Sequence, residues 1–421
     1  MEVKPGYKQT ELGVIPKEWN AVSFSEILEF RNGANADKEA YGKGVPFVNV
    51  LEVITKGHLK SSDIPGRVLL TKSATESYSV RLGDLVFNRT SETDNELALT
   101  AVYMDEKPVV FGGFVIRGRP TTKALDPLFS GYAFRARSVR SQIIARGQGA
   151  IRANIGQSDL RQILIALPAL SEQRAIAGAL SDVDALLGAL DQLIAKKRDL
   201  KQAAMQQLLT GTKRLPGFQG KWTQLNMAEN STLKARIGWQ GLTTAEYLKT
   251  GEYYLVTGTD FANGRVEWSS CCFVAAERYV QDRNIQLRAK DIVLTKDGTI
   301  GKVGFINNLP GPATLNSGVF VIRPKENAYD PHFFYFVLTS RIFDDFLNKL
   351  QAGSTISHLY QKDFVTFSFL APATLAEQTA IAEVLTDMDA ELAALEQRRA
   401  KTRALKQGMM QELLTGRTRL I

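Results

Sequence analysis

Two stretches of the chain show the apolar spacing that is typical of a long helix. In the first, apolar residues recur at alternating steps of four and three, at Ile176, Leu180, Val183, Leu187, Leu190 and Ile194. The second has the same steps, at Ile381, Leu385, Met388, Leu392 and Leu395. This spacing places the side chains on one stripe of a helix, and such a stripe needs a partner helix. The pattern therefore predicts two long helices that pack on each other.

Residues at the ends of both stretches mark where the helices start and stop. Ser171 is expected to cap the first helix, and Thr374 with Glu377 is expected to form a capping box at the start of the second. Gly211 and Gly416 each follow a Leu-Leu-Thr sequence and predict C-terminal stops. Each helix should then have about 40 residues and a length of about 60 Å.

The two helical stretches are copies of each other. Residues 172–215 and 377–420 align without gaps, and about three in five positions are identical, which indicates an internal repeat. Both copies contain the skeleton EQ-x-AIA-x-x-L-x-D-x-DA, followed by LKQ-x-x-MQ-x-LLTG. A compact domain between the copies can return the chain to the far end of the first helix, so we expect the pair to be antiparallel.

The rest of the chain consists of short apolar runs that are typical of strands. VPFVNV, GDLVFN, YYLVTG, KDIVLT and GVFVIR are separated by Gly, Pro and Asn. Faint similarities link the two halves: GDLVF at 83–87 with KDIVL at 290–294, FVIR at 114–117 with FVIR at 320–323, and Asp126-Pro127 with Asp330-Pro331. We therefore predict an α+β fold with pseudo-twofold symmetry, in which two α/β recognition domains are separated by two long helices that form an antiparallel coiled coil. The expected segments are 1–165 (first domain), 166–213 (first helix), 214–368 (second domain) and 369–421 (second helix).

Composition narrows the class of protein. Of the 421 residues, 44% are apolar and 23% are charged, which is ordinary for a globular protein. The chain has neither an apolar run long enough to span a bilayer nor the apolar core of a signal peptide. Cys271 and Cys272 are adjacent, a poor geometry for a mutual disulfide, and the three histidines, His58, His332 and His358, lack the spacing of metal ligands. We expect a cytoplasmic protein with no metal, no cofactor and no membrane contact.

A net charge of +8 and a pI near 9.3 are typical of a protein that binds nucleic acid. Base edges are usually contacted by Arg, Lys, Asn and Gln, and phosphates by Lys, Arg, Ser and Thr. The candidates in the first domain are Arg31, Asn32, Lys38, Tyr41, Lys43, Asn88, Arg89, Thr90, Ser91, Arg146, Gln148 and Arg152. Those in the second are Lys234, Arg236, Trp239, Gln240, Lys296, Asp297, Thr299, Gln351, Ser354 and His358. For any one of them a solvated surface loop is the simpler interpretation, but as sets they favour contact with DNA.

Two further patterns could indicate binding sites. DGTIGKVG at 297–304 has too few residues between its glycines for a phosphate-binding loop, so a hairpin is the better prediction. Basic residues also cluster on the two helices, at Lys196, Lys197, Arg198, Lys201, Arg398, Arg399, Lys401 and Arg403. Such clusters are usually a solvated face, and the repeat alone favours a docking surface instead.

Several of these motifs resemble the specificity subunit of a type I restriction–modification enzyme. They are LPALSEQRAIA at 167–177, APATLAEQTAIA at 371–382, the two LLTG endings, YKQTELGVIPKEW at 7–19 and RLPGFQGKW at 214–222. The resemblance covers nearly the whole chain and is most specific in the helices.

The resemblance implies a DNA-reading subunit that has no catalytic activity of its own. Each domain would read one half of a bipartite, asymmetric target in double-stranded DNA, and the helix pair would set the length of the unread spacer. Proteins of this kind assemble with two adenine-N6 methyltransferase subunits and with motor-nuclease restriction subunits. Two nearly identical helices fit two identical partners, since these need equivalent docking surfaces.

Three alternatives remain at the level of sequence. An enzyme that itself cuts or methylates DNA would need motifs that the chain lacks: an Asn-Pro-Pro-Tyr box, a glycine-rich cofactor loop after a strand, or a carboxylate cluster with a lysine. A coiled-coil scaffold that binds only protein would explain the helices but not two diverged basic domains. A specificity subunit of a related system, with the methyltransferase and nuclease arranged differently, fits the same residues.

Overall fold

Mixed sheets and two long helices make up the fold, in a computed structural model that describes residues 4–147, 153–351 and 358–420. The chain divides into two units: unit 1 contains Met1–Asp191 with Gln397–Ile421, and unit 2 contains Gln192–Glu396. Each unit holds one sheet-rich globular part and a portion of each long helix. The predicted α+β class is confirmed. No helix among the described residues has the length and apolarity needed to cross a membrane.

Two mixed sheets form the globular part of unit 1. The larger has the strand order Leu28–Asn32, Val115–Pro120, Leu85–Asn88, Thr100–Tyr103 and His58–Leu59. The smaller has the order Arg67–Val68, Tyr41–Val48, Val109–Phe111 and Ser79–Val80. Helices Pro127–Ala133 and Arg137–Arg146 follow. Buried Phe87, Phe134 and Ile176 belong to one apolar core, which joins the larger sheet to a helix portion.

Unit 2 repeats this plan, except that its larger sheet is antiparallel throughout. Its larger sheet has the order Ser231–Ala235, Val319–Pro324, Ile292–Thr295 and Val303–Phe305. Its smaller sheet has the order Cys272–Val274, Tyr253–Val256 and Ala313–Leu315. Helices Pro331–Leu338 and Arg341–Gln351 follow, and their aromatic side chains share a core with Ile381 and Leu385 of the second long helix. In both units an aspartate caps the first of these helices, Asp126 in unit 1 and Asp330 in unit 2.

Short elements complete each unit. In unit 1 they are the strand pairs Tyr7–Thr10 with Gly13–Pro16, Asn20–Ser23 with Leu164–Leu167, and Thr90–Ser91 with Ala153–Asn154, and the helices Phe24–Ile27, Val50–Thr55, Lys72–Ser77 and Gln157–Arg161. In unit 2 they are the strand pairs Trp222–Asn226 with Ser368–Pro372 and Phe261–Ala262 with Arg265–Val266, and the helices Met227–Asn230, Ala276–Val280 and Gln361–Phe364. In each unit one of these pairs joins a strand near the start of the globular part to the strand that leads into a long helix. The pair is Asn20–Ser23 with Leu164–Leu167 in unit 1 and Trp222–Asn226 with Ser368–Pro372 in unit 2.

The strand registers of the two larger sheets show which residues of the two sequence halves are equivalent, and they correct one predicted match. Gly118 lies opposite Leu85 in unit 1, whereas Ile322 lies opposite Ile292 in unit 2. Leu85 and Ile292 are equivalent, since each follows the aspartate of its GDLVF or KDIVL segment. The predicted match of FVIR at 114–117 with FVIR at 320–323 is therefore wrong by two positions. Any apolar residue suits these buried strand positions, so a repeated apolar string does not fix the register.

With the corrected register, a buried arginine–aspartate ion pair is found at equivalent positions in the two units. Arg119 donates to Asp84 in unit 1, with Nη2 2.7 Å from Oδ2, and Arg323 donates to Asp291 in unit 2, at 2.6 Å. In both pairs the Nε–H donates to the other carboxylate oxygen, so each is bidentate. The two aspartates are nearly inaccessible, so the pairs fasten two strands of each larger sheet together.

The long helices are Leu170–Leu208 and Leu375–Leu413, each of 39 residues. The predicted cap at Ser171 is wrong: the first helix already begins at Leu170, because the strand Leu164–Leu167 runs almost directly into it, so Ser171 lies inside the first turn. At the second helix Thr374 does accept the backbone N–H of Glu377, 3.4 Å away. The carboxylate of Glu377 binds Arg214 instead of completing the capping box. Gly211 and Gly416 have φ of 71° and 70°, which confirms both predicted C-terminal stops.

Ion pairs between the two long helices show that their portions run antiparallel within each unit. In unit 1, Lys406 binds Asp184 at 2.5 Å and Arg399 binds Asp191 at 2.9 Å. Residue numbers rise along one helix as they fall along the other, so the portions in unit 1 are antiparallel. The portions in unit 2 are antiparallel by the same criterion, through Lys201 with Asp389 at 2.5 Å and Lys197 with Glu391 at 2.6 Å. The repeated lysine of LKQ thus meets the second aspartate of D-x-DA in both units.

Candidate nucleic-acid interface

One end of the larger sheet in unit 1 gathers segments that are far apart in the sequence. Asn32, the last residue of its first strand, lies opposite Ile116. The strand Leu85–Asn88 ends at the same place, since the N–H of Arg89 donates to the carbonyl of Phe114 over 2.9 Å. We call this end, formed by residues 31–34, 89–91, 112–115 and 153–155, the unit 1 edge.

The fourth segment of the unit 1 edge is fixed by three contacts. Thr90–Ser91 pairs with Ala153–Asn154, and the N–H of Ile155 donates to the carbonyl of Arg89 over 3.1 Å. The Thr90 hydroxyl also donates to the Asn154 side chain over 2.9 Å. Residues 153–155 are therefore held beside residues 89–91, although more than 60 positions separate them in the sequence.

Unit 2 builds the same edge with other side chains. Ala235 lies opposite Phe320, and the N–H of Lys296 donates to the carbonyl of Gly318 over 2.9 Å. The N–H of Leu359 donates to the carbonyl of Lys296 over 2.8 Å. Asp297 lies opposite His358, whose Nδ1 contacts the Asp297 carboxylate. We call residues 234–236, 296–297, 318–320 and 358–360 the unit 2 edge.

Cationic side chains occupy equivalent positions on the two edges. Arg31 corresponds to Lys234 and Arg89 corresponds to Lys296, because the backbone pairings are the same. Arg31, Arg89 and Lys234 are exposed, and Lys296 is half-buried with Nζ 5.5 Å from the centre of the Phe320 ring. Paired cations at the rim of a sheet can hold a phosphate backbone.

Other candidates lie away from the edges or turn back into the protein. Lys38, Tyr41 and Lys43 are exposed at the start of the smaller sheet of unit 1. Half-buried Arg146 donates to the Gln142 carbonyl over 3.3 Å. Thr299 is exposed in the turn between two antiparallel strands, so the predicted hairpin at 297–304 is confirmed.

Four candidates are buried: Asn88, Ser91, Arg236 and Gln240. Asn88 donates to the Glu96 carbonyl over 3.1 Å and accepts the Thr90 N–H over 3.3 Å, so it shapes the loop behind Arg89. Arg236 donates from Nε to the Leu315 carbonyl over 2.9 Å, and its burial lowers its pKa. Asn88 and Arg236 thus bind the backbone of their own units, and their burial leaves little of either side chain exposed to solvent.

Five of the candidates lack a described side chain. Gln148, Arg152 and Ser354 lie outside the described residues, and the side chains of Trp239 and Gln351 are likewise outside the described part. Among the residues that are described, no group of His, Cys, Asp and Glu is arranged to hold a metal ion.

The basic clusters on the helices divide into two kinds. Lys197, Lys201 and Arg399 bind acidic residues of the opposite helix, as does Arg198 with Glu396. These four stabilise the helix pair within their own units. Lys196, Arg398, Lys401 and Arg403 are exposed, so the repeat-based docking interpretation rests on them.

Sequence reasoning missed two exposed aromatic residues. Phe114 is 67% exposed at the unit 1 edge, and Tyr360 is 54% exposed at the unit 2 edge. Phe114 stands in the apolar FVIR string, which favours burial, and Tyr360 is absent from the predicted candidates. For Phe114 the available signal was the neighbouring glycine pair in FGGFVIR, which predicts a turn that presents the next side chain.

Comparisons with known proteins agree on one family. The family model described as "Type I restriction modification DNA specificity domain" matches residues 16–197 and 241–403. The MjaX protein of Methanocaldococcus jannaschii, named as a type I restriction enzyme specificity subunit, is 24% identical over 428 residues, covering 98% of this chain and 97% of that protein. The MjaVIII specificity subunit of the same organism is 21% identical, covering 96% of this chain and 94% of that protein.

Two solved structures have a similar fold. The S subunit of a type I restriction–modification system from M. genitalium has a TM-score of 0.56 at 16% identity, with 98% of each chain covered. A chain from a study of complex assembly in the type I restriction–modification system has a TM-score of 0.58 at 16% identity, with 96% of this chain and 99% of that chain covered.

Proposed function

This chain belongs to the family of type I restriction–modification DNA specificity domains, and on that premise we propose that it is a non-catalytic subunit whose two units each read one half of a bipartite, asymmetric DNA target. One observation carries the proposal. The two edges share their backbone pairing and the positions of two cations, yet differ in most other side chains. A common scaffold with different side chains is what two different half-sites require.

The cations anchor each edge on the sugar–phosphate backbone. Arg31 and Arg89 act in unit 1, and Lys234 and Lys296 act in unit 2. Contacts of this kind fix the position of a protein on a duplex without reading sequence. Base edges would be read by exposed polar side chains, such as Asn32 on the unit 1 edge and Thr299 in the turn that follows Lys296, since their side chains suit the donors and acceptors of base edges.

In this proposal the two repeated helices are the docking surface for the partner subunits. Two nearly identical surfaces support the docking of two methyltransferase subunits, with exposed cations such as Lys196 and Lys401 as candidate contacts. The specificity subunit then places each methyltransferase over an adenine, which is flipped out of the stack for modification. Motor-nuclease restriction subunits join this core, and the helix pair sets the length of the spacer between the half-sites.

The first test is the salt dependence of DNA binding by Arg89→Ala. Each phosphate contact releases bound counterions, so loss of one should reduce the slope of log K against log salt concentration by about one. The affinity should fall to a similar extent on the target duplex and on a scrambled duplex. Fluorescence anisotropy at several salt concentrations measures both.

The matched control is Arg81→Ala. Arg81 is an exposed arginine that precedes the same strand at its other end, away from the unit 1 edge. It should leave the slope unchanged. Equal slopes for both variants would contradict an anchoring role for Arg89. A wild-type chain that prefers a gapped target less than tenfold over the scrambled duplex would contradict the proposed function itself.

A further inference from the structure

Each edge carries one exposed aromatic side chain, but from a different position. Phe114 in unit 1 corresponds to Gly318 in unit 2, because each carbonyl accepts the N–H of the edge cation. Tyr360 in unit 2 corresponds to Gly156 in unit 1, since each follows the residue that donates to that cation's carbonyl and each precedes a short helix. The aromatic residue and the glycine have therefore exchanged places between the units.

Single exposed apolar side chains are common on protein surfaces, so exposure alone assigns no role. Phe114 differs in that its ring stands on a rigid turn. The N–H of Val115 donates to the Gly112 carbonyl over 2.9 Å. A Cβ on Gly33 would lie 2.0 Å from the Gly112 carbonyl oxygen, so the backbone that follows the strand Leu28–Asn32 packs directly against this turn. The ring is thus held outward beside Arg89 at the cost of leaving an apolar side chain 67% exposed in water.

Tyr360 is held by its own backbone and by its neighbours. Its carbonyl accepts the N–H groups of Asp363 and Phe364 over 3.1 Å and 3.0 Å, which fixes the start of the helix Gln361–Phe364. The centre of its ring lies 4.4 Å from that of His358 and 5.5 Å from Nζ of Lys362. The unit 2 edge therefore presents an aromatic ring that is flanked by a histidine ring and a lysine ammonium group.

We propose that Phe114 and Tyr360 are specificity-determining residues, each of which makes an apolar contact with the C5-methyl group of a thymine in the major groove of its own half-site. The inference rests on the proposed function, in which each half-site contains an adenine and hence an A·T pair. Aromatic rings are suited to this contact because the methyl group is the one apolar group that base pairs present in the major groove. The neighbouring cations would hold the phosphates while the ring reads the methyl group.

The experiment removes the methyl group and the ring in turn. The full chain is bound to duplexes that carry the gapped target, in which each thymine is replaced singly by deoxyuridine. One replacement in the half-site of unit 1 should weaken wild-type binding about fourfold, the effect of one buried methyl group. Phe114→Ala should bind the unmodified duplex about tenfold more weakly and should no longer respond to that replacement. Its salt slope should equal that of the wild type, unlike Arg89→Ala.

Two comparisons make the result specific. Tyr360→Ala should lose the response to deoxyuridine in the other half-site alone. Leu82→Ala removes a 52% exposed apolar side chain at the opposite end of the same sheet and should change neither affinity nor response. A midpoint temperature of thermal unfolding equal to that of the wild type would show that each variant is folded.

Wild-type affinity in Phe114→Ala would overturn the inference, as would an affinity loss that is independent of every thymine methyl group. In either case a wild type that still prefers the gapped duplex over a scrambled one leaves the proposed function standing. If the wild type shows no such preference, the proposed function fails and the inference fails with it.

Discussion

Replacing Arg419 by methionine is expected to lower the free energy of unfolding of unit 1 by about 3 kcal/mol, because it leaves a buried carboxylate without its counter-charge. Glu172 is 5% exposed. Its carboxylate accepts hydrogen bonds from Nε and Nη2 of Arg419, over 2.6 Å and 2.9 Å, and from the indole N–H of Trp19, over 3.0 Å. Hydrogen bonding to Glu172 raises the pKa of Arg419 further above its already high value, which fits a strong pair. Urea unfolding of the full chain measures the loss.

Arg417→Met is the matched control, two residues away. Arg417 pairs with Glu412 at 3.0 Å, but the two side chains are 50% and 46% exposed, so the loss should stay below about 1 kcal/mol. The repeat supplies a second check, since Arg214 binds Glu377 in unit 2 as Arg419 binds Glu172 in unit 1. Arg214→Met should therefore be as destabilising as Arg419→Met. Equal losses for Arg417→Met and Arg419→Met would contradict the importance of the buried pair.

Exchanging residues 216–368 for the corresponding domain of another family member is expected to replace one half of the target and leave the other half unchanged. The segment contains every strand of the larger and smaller sheets of unit 2, from Ser231–Ala235 to Val319–Pro324. Each mismatched base pair typically costs about 1–3 kcal/mol, so a half-site of several base pairs should be lost almost completely. Sequencing that detects modified adenine, in cells that carry the chimera and its partners, reads the new target directly.

The reciprocal exchange of residues 1–165 should alter the other half-site. A chimera that is folded but modifies a target with both halves changed would contradict independent reading by the two units. So would an unchanged target, because the unit 2 edge would then have no part in recognition.

Much of the architecture could be predicted from the sequence, because the signals were local and repeated. The seam residues Ile176, Leu180, Ile381 and Leu385 are fully buried, as the alternating spacing predicted. The glycine stops were correct because a positive φ strongly favours glycine. The Ser171 cap was wrong because a strand leads into the helix, which already begins at Leu170, and capping preferences do not contain this tertiary constraint.

The candidate site was harder to predict because it is assembled by a sheet. Arg31 and Arg89 are 58 positions apart and become neighbours through a strand between them, whose register the FVIR match placed two positions out. Asn88 and Arg89 are adjacent and both polar, yet Asn88 is buried as the last residue of its strand and Arg89 is exposed just beyond it. Polarity identifies residues able to bind DNA, but the positions of the strand ends are needed to show which of them are exposed.

The central claim, that this chain gives a type I system its target, is tested most directly by mapping modified adenine across the source genome with and without its gene. Deletion should remove modification at one asymmetric, gapped motif, and the gene should restore it when supplied in trans. The same pattern of modified adenine in both strains would contradict a role for this chain in choosing the target.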